Sequence, residues 1–240
     1  YNPLVNTSGS GRKPVDEYMA YRSSADGGAY QVRMYDINEL SDQFAFGINK
    51  HPLSIRNFIR FVKDNFRAPV KNVFLIGRGM TYNEYRNNQA DTLIDRLDLI
   101  PTFGNPGSDN LFTSNTIQNA VPAIPIGRLS VINGNEVLDY LEKITEYESV
   151  QRLSPQTLDA REWMKNVVHV TGASDPFLGG VLCNYMEIYK HSIQDTLSGN
   201  KVYLFCKNTT NPTQQAGVEE LRQLFQTGMS ILTYFGHSSA

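Results

Sequence analysis

Short apolar runs bounded by glycine alternate, in the last third of the chain, with longer stretches of helical period. Met229 to Phe235 is mostly apolar, with Gly228 before it and Gly236 behind it. Such a run predicts a buried parallel strand. Val167 to Val170, ending in Thr171-Gly172, and Val202 to Phe205 read the same way. Between these two, Asp175 and Pro176 read as the N-cap and first position of a helix that runs to about Leu197 and closes at Gly199-Asn200. A loop around Asn211-Pro212 leads to a second helix, with Val218, Leu221, Leu224 and Phe225 on one face and Gly228 at its close. The pattern is βαβαβ, which predicts a parallel, doubly wound sheet.

The first half is less regular. Residues 1–29 are polar and rich in glycine, which predicts an irregular lead-in. Tyr30, Val32 and Met34 alternate with polar neighbours, the period of a strand. His51-Pro52 opens a helix whose apolar face is Ile55, Phe58, Ile59 and Val62. Asn72 to Ile76 reads as a buried strand ending at Gly77. The stretch from Arg78 to Asn119 is polar and turn-rich, with a short strand expected at Leu111-Phe112. Segments of this kind inside an ordered chain are more often functional loops than linkers. Ala123 to Val131 predicts a further strand, with two prolines that place it toward an edge. Asn133 and Glu136 have the spacing of a capping box before a helix striped by Val137, Tyr140, Leu141, Ile144 and Tyr147. Residues 150–163 are polar and include Pro155. We therefore expect an N-terminal α/β subdomain over 30–155 and a second over 156–240.

Composition narrows the function classes. The chain has 240 residues, 40% hydrophobic, enough for a sizeable core. Its net charge of −2 gives no electrostatic footprint for nucleic acid. No apolar run is long enough to span a bilayer. The first residue is Tyr1, not Met, and no signal peptide is visible; we read the chain as part of a longer protein. Its two cysteines, Cys183 and Cys206, exclude a disulfide framework and a cysteine zinc site.

In a parallel sheet the strand C-termini share one edge, where open α/β sheets place their chemistry. That edge collects Thr171 to Asp175, Cys206 to Asn208, and Gly236-His237-Ser238. A histidine there can take a proton from a nucleophile when a carboxylate fixes its tautomer. His237 is the leading catalytic candidate, and Asp175 is the nearest acid, with an N-cap as its competing role. Gly236 lets a backbone amide approach a substrate closely. Cys206 is an unsuitable nucleophile for His237. When the second crossover reverses direction, the first strand lies between the other two, and two spacings of about 4.8 Å hold the pair roughly 10 Å apart. Cys183 reads as core among Leu182, Tyr185 and Met186, although a Cys183–Cys206 disulfide is open to it because both lie near one sheet edge. His51, His169 and His191 read as structural.

Several segments together resemble the gingipain-like cysteine peptidases, a family that includes secreted gingipains and the sortase component of the type IX secretion system. They are Asn72 to Gly77, Pro106 to Phe112, Ile124 to Val131 with the helix from Glu136 to Glu148, and Thr233 to Ser239. The Pro-Ile-Gly-Arg-Leu block with its helix is the most specific. The resemblance implies a caspase-like (Rossmann-like) parallel sheet flanked by helices, preceded by a smaller α/β subdomain. It implies a histidine after one strand, here His237, and a cysteine after the next, which would lie beyond Ala240. The sheet would then be incomplete in this chain, and these residues alone would be inactive. An acidic third member maps onto Asp175. Gly236 and Ser238 fall at the oxyanion and substrate position, where gingipains carry Gly-His-Gly; Ser238 departs from that pattern and favours a sortase-like or uncharacterised branch over a true gingipain. The function implied is proteolysis or transpeptidation on protein or peptide substrates, at the outer cell surface or after secretion, with secretion-machinery components as further partners. The alternative is a non-catalytic binding or export module that lacks the cysteine. No catalytic cofactor is required; the resemblance implies calcium as a structural ion, toward which Asp109 offers an oxygen without EF-hand spacing.

Overall fold

A computed structural model describes residues 1–88, 90–194, 197, 199–207 and 218–236. It divides into two compact units, Tyr1–Ser149 and Val150–Ala240. Both are mixed α/β with parallel sheets flanked by helices.

The first unit opens with a 3-10 turn, Pro3–Asn6, and helix α1, Pro14–Ser23. This corrects the irregular lead-in. Glycines surround α1, but Pro14 at its first turn, Asp16 and Glu17 beside it and Arg22 in its last turn suit a helix and its dipole. Helices α2, Ile37–Phe44, and α3, Leu53–Asn65, follow. α3 buries Ile55, Ile59 and Val62, as their spacing predicts. Strand β1, Val73–Ile76, leads to the short helices α4, Tyr82–Asn87, and α5, Thr92–Leu97. Leu111-Phe112 lie in a helical turn, α6, Asn110–Thr113, not in a strand. Two apolar residues carry no period, and the turn buries Phe112 against Ile55 and Ile59 in either form. Strands β2, Ser114–Thr116, and β3, Asn119–Pro122, form a small antiparallel pair. β4, Ile126–Leu129, pairs in parallel with β1. Helix α7, Gly134–Leu153, starts on one half of the expected capping box: Glu136 N donates to Asn133 Oδ1 at 3.1 Å, while the Glu136 carboxylate accepts from Ile132 N, one residue before the cap, at 2.9 Å.

Residues 30–35 form no ladder, against the strand their alternation predicts. Alternation describes which faces are apolar, but a strand also needs a neighbour at pairing distance. Here none is present along most of the segment.

The second unit begins with the short helix α8, Leu158–Arg161. Strand β5, Asn166–Gly172, helix α9, Pro176–Ile193, strand β6, Lys201–Lys207, helix α10, Val218–Thr227, and strand β7, Ile231–Gly236, follow. The strand order is β6-β5-β7, all parallel, so the first strand lies between the other two as expected. β5 is buried at every position but Val170, which is half-buried, and Val168 is at 0% exposure. β7 departs from expectation. Ile231, Leu232, Tyr234 and Phe235 are exposed. The reason is its position at the edge of the described sheet, where β5 pairs with one side only.

Candidate active site

The three strands of the second unit end level. Gly172 registers with Lys207 on one side and Gly236 on the other; one step back, Thr171 lies between Cys206 and Phe235. Such an edge gathers the loops that follow each strand at one place. At Gly236 the β5 and β7 backbones approach so closely that a β-carbon would lie 2.0 Å from the Gly172 carbonyl oxygen. Glycine is therefore required at this position by sheet packing, whatever further role its amide has. His237 and Ser238, which follow it, lie outside the described residues.

Asp175 stands at the mouth of α9. Its Oδ1 accepts from Leu178 N at 2.7 Å, with the extended backbone of an N-cap, and Pro176 follows. The carboxylate is exposed, so capping occupies one oxygen and leaves the group at the same edge as the strand ends.

Cys183 and Cys206 form a disulfide with a Cα–Cα separation of 5.7 Å. It fastens α9 to β6 in the row that also holds Thr171 and Phe235. This corrects the reading of Cys183 as a packed core thiol; the residue is half-buried. The signal was the placement of both cysteines near one sheet edge. The bridge also removes Cys206 as a nucleophile, because a disulfide sulfur is not a thiolate.

His169 sits in the middle of β5 at 2% exposure, and neither ring nitrogen has a hydrogen-bond partner among the described residues. Burial pulls its pKa below the usual histidine range. Thr171, two residues on and on the same face, also has a buried, unpartnered hydroxyl. His51 accepts from Leu53 N at 3.2 Å at the start of α3, and His191 lies 3.5 Å from Glu187 on α9.

The C-terminal edge of the first sheet is organised differently. Arg128 on β4 donates to both oxygens of Asp109 at 2.7 Å. It donates also to the carbonyls of Gly77, Ile100 and Pro101, at 2.7–3.0 Å. One guanidinium thus ties together the loops that follow β1. A charged residue inside an otherwise apolar strand was its sequence signal. Both oxygens of Asp109 accept from Arg128, and among the described residues there is no group of three or more acidic, histidine or cysteine side chains placed to hold a metal ion. No described helix is long and apolar enough to cross a membrane.

Residues 4–240 match the model of peptidase family C25. The chain belongs to that family, the family of the gingipains. No curated protein matches the chain, and no solved structure does. Membership supports a cysteine-type peptidase, a hydrolase acting on protein substrates, and the parallel sheets flanked by helices are consistent with a caspase-like α/β fold.

Proposed function

We propose that this C25 chain carries the histidine half of a cysteine-peptidase dyad. His237 is the general base. The nucleophilic cysteine is supplied by a strand that adds to the outer edge of β7. The observation that carries this reading is the level edge of β6, β5 and β7, whose last residue in β7 directly precedes His237. Two further observations support it. Both cysteines of the chain are tied in a disulfide, so the thiolate comes from elsewhere. The faces of β7 are apolar yet exposed, as suits a strand that acquires a neighbour.

In the proposed reaction His237 accepts the thiol proton and the thiolate attacks the scissile carbonyl carbon. The tetrahedral oxyanion is held by backbone N–H groups around Gly236 and Ser238. The C–N bond breaks as His237 returns the proton to the leaving amine, which leaves a thioester. Water completes proteolysis; an incoming amine completes a sortase-like transpeptidation. Asp175 orients the imidazole while one of its oxygens caps α9. An exported or surface location is supported by the disulfide, since such bonds persist in oxidising compartments. Components of a secretion machinery are the partners this location suggests.

A second reading is a non-catalytic binding or export module, in which no cysteine joins His237. Intact-mass labelling of the natural protein with a peptidyl chloromethyl ketone, with and without His237→Ala, separates the two. The dyad predicts one adduct on a cysteine other than Cys183 and Cys206, lost in the variant, and a fall in peptide cleavage of about 10²–10⁴-fold. Equal labelling in both proteins, or none in either, would establish the binding module instead.

A further inference from the structure

β7 sends its side chains to the two faces of the second sheet in turn. Phe235 registers with Thr171, and Thr171 with Cys206, so these three share the face to which the disulfide fastens α9. Tyr234 stands on the other face. It registers with Val170, yet its hydroxyl reaches two residues further along β5. A β-carbon placed on Gly172 would lie 3.2 Å from the Tyr234 hydroxyl oxygen and 3.8 Å from the ring carbon Cε2. The side chain therefore leans along its strand and across to β5, and its polar tip ends beside the last residue of that strand. Glycine at 172 permits this, because any side chain there would rise on the same face, into the space of the phenol.

The hydroxyl is unspent. Tyr234 is 53% exposed, and no hydrogen bond among the described residues takes up its oxygen. Tyr18 and Tyr21 of α1 differ: their hydroxyls are bonded to Arg22 and Glu148. The place is also particular. Gly172 registers with Gly236, which His237 follows in sequence. On the α9 face of this edge stands Asp175, the cap of that helix. On the opposite face stands the phenol of Tyr234. A chain laid across the ends of β5 and β7 would meet a polar group on either side.

We propose that Tyr234 is a substrate-binding residue whose hydroxyl donates a hydrogen bond to a main-chain carbonyl of the bound peptide. The scissile carbonyl is left to the amides around Gly236 and Ser238; the phenol holds a neighbouring carbonyl and aligns the chain across the strand ends. Its ligand is the peptide backbone, not a particular side chain. This inference rests on the peptidase reading above and adds a residue to it. A main-chain contact of this kind is made in the ground state and the transition state alike, so it lowers KM and leaves kcat as it is.

The test is steady-state cleavage by the natural protein and by its Tyr234→Phe and His237→Ala variants, with two peptides that differ in the side chain at the scissile residue. Phenylalanine keeps the ring over Gly172 and removes the hydroxyl alone. KM should rise about three- to ten-fold for both peptides, the loss of one hydrogen bond. The kcat should stay within about two-fold, and the unfolding temperature should stay that of the wild type. Wild-type KM in Tyr234→Phe, with His237→Ala inactive, overturns this inference and leaves the dyad standing. A rise confined to one peptide also overturns it, since the hydroxyl would then read a side chain. So does a fall in kcat at constant KM, which places the hydroxyl on the transition state alone, and so does a lowered unfolding temperature, which marks a structural bond. No cleavage by the natural protein, or full activity in His237→Ala, overturns the dyad reading and this inference with it.

Discussion

The two parallel sheets end in opposite ways. At the β1–β4 edge a single side chain, Arg128, makes five hydrogen bonds and closes the loops around itself. At the β6-β5-β7 edge the strands end at Gly172, Lys207 and Gly236, and the nearest acid, Asp175, is an exposed cap. The first edge is committed to structure: its polar groups are consumed by one another. Among the described residues, the second edge holds a buried hydroxyl, that of Thr171, without a hydrogen-bond partner. Chemistry needs the second condition, because a group that must bind or move a proton cannot have all its partners fixed within the fold.

The sharpest break in this contrast is Arg128→Ala. The Arg128 side chain is 11% exposed, and its removal strands three backbone carbonyls and a carboxylate. We expect a loss of about 3–5 kcal/mol in denaturant unfolding. A loss under about 1 kcal/mol would mean that water replaces the guanidinium and that the first edge is as open as the second.

The second edge has one covalent clamp, and the paired change Cys183→Ala with Cys206→Ala removes it. The cysteines are 23 residues apart, and opening a loop of that size costs about 3 kcal/mol in the chain-entropy account. Calorimetry of the natural protein checks the size. A double variant that unfolds at the wild-type temperature would show that the sheet, and not the bridge, holds the end of β6.

These two features were unequally legible. The βαβαβ pattern, its central first strand and the capping of α9 by Asp175 follow from local rules, because continuous apolar runs and cap residues carry their meaning within a few positions. The disulfide was open to the sequence and no more, since pairing depends on where a helix turns over a sheet. Arg128 itself stood out as a charge in an apolar strand, but its network did not: the partners Gly77, Ile100, Pro101 and Asp109 are backbone and loop positions up to 51 residues away. The same lack of long-range information explains the strand expected at 30–35, whereas the run Leu111-Phe112 is too short to carry any period. His237, the residue on which the functional reading turns, was legible as a polar residue at a strand's end, not as a geometry.

Asp175 tests whether a cap at the second edge is also a site. Asp175→Ala removes the bond to Leu178 N and should cost about 1 kcal/mol. Asp175→Asn keeps a capping oxygen and should restore that stability. If the carboxylate also orients His237, the Asn variant stays stable yet loses peptide cleavage. Full activity in Asp175→Asn would leave the residue a cap alone.

The smallest effect separates burial from function within the second sheet. His169 is neutral when buried, and its pKa in the folded state is below the unfolded value of 6.5. Above that pH neither state is protonated, and the group adds no pH dependence. Below it the unfolded chain takes up a proton that the folded chain refuses. Stability then falls with decreasing pH, by at most about 1.4 kcal/mol per pH unit, until the folded histidine itself protonates. His169→Leu removes two nitrogens that have no partner among the described residues and puts an apolar side chain of similar reach in their place, so stability at pH 7 should change by less than about 1 kcal/mol. The slope below pH 6.5 should flatten. Unfolding curves at pH 7.5 and 5.5 decide it. An unchanged slope would assign the acid sensitivity to other groups, while a large loss at pH 7 would mean that the imidazole has a partner in the folded protein.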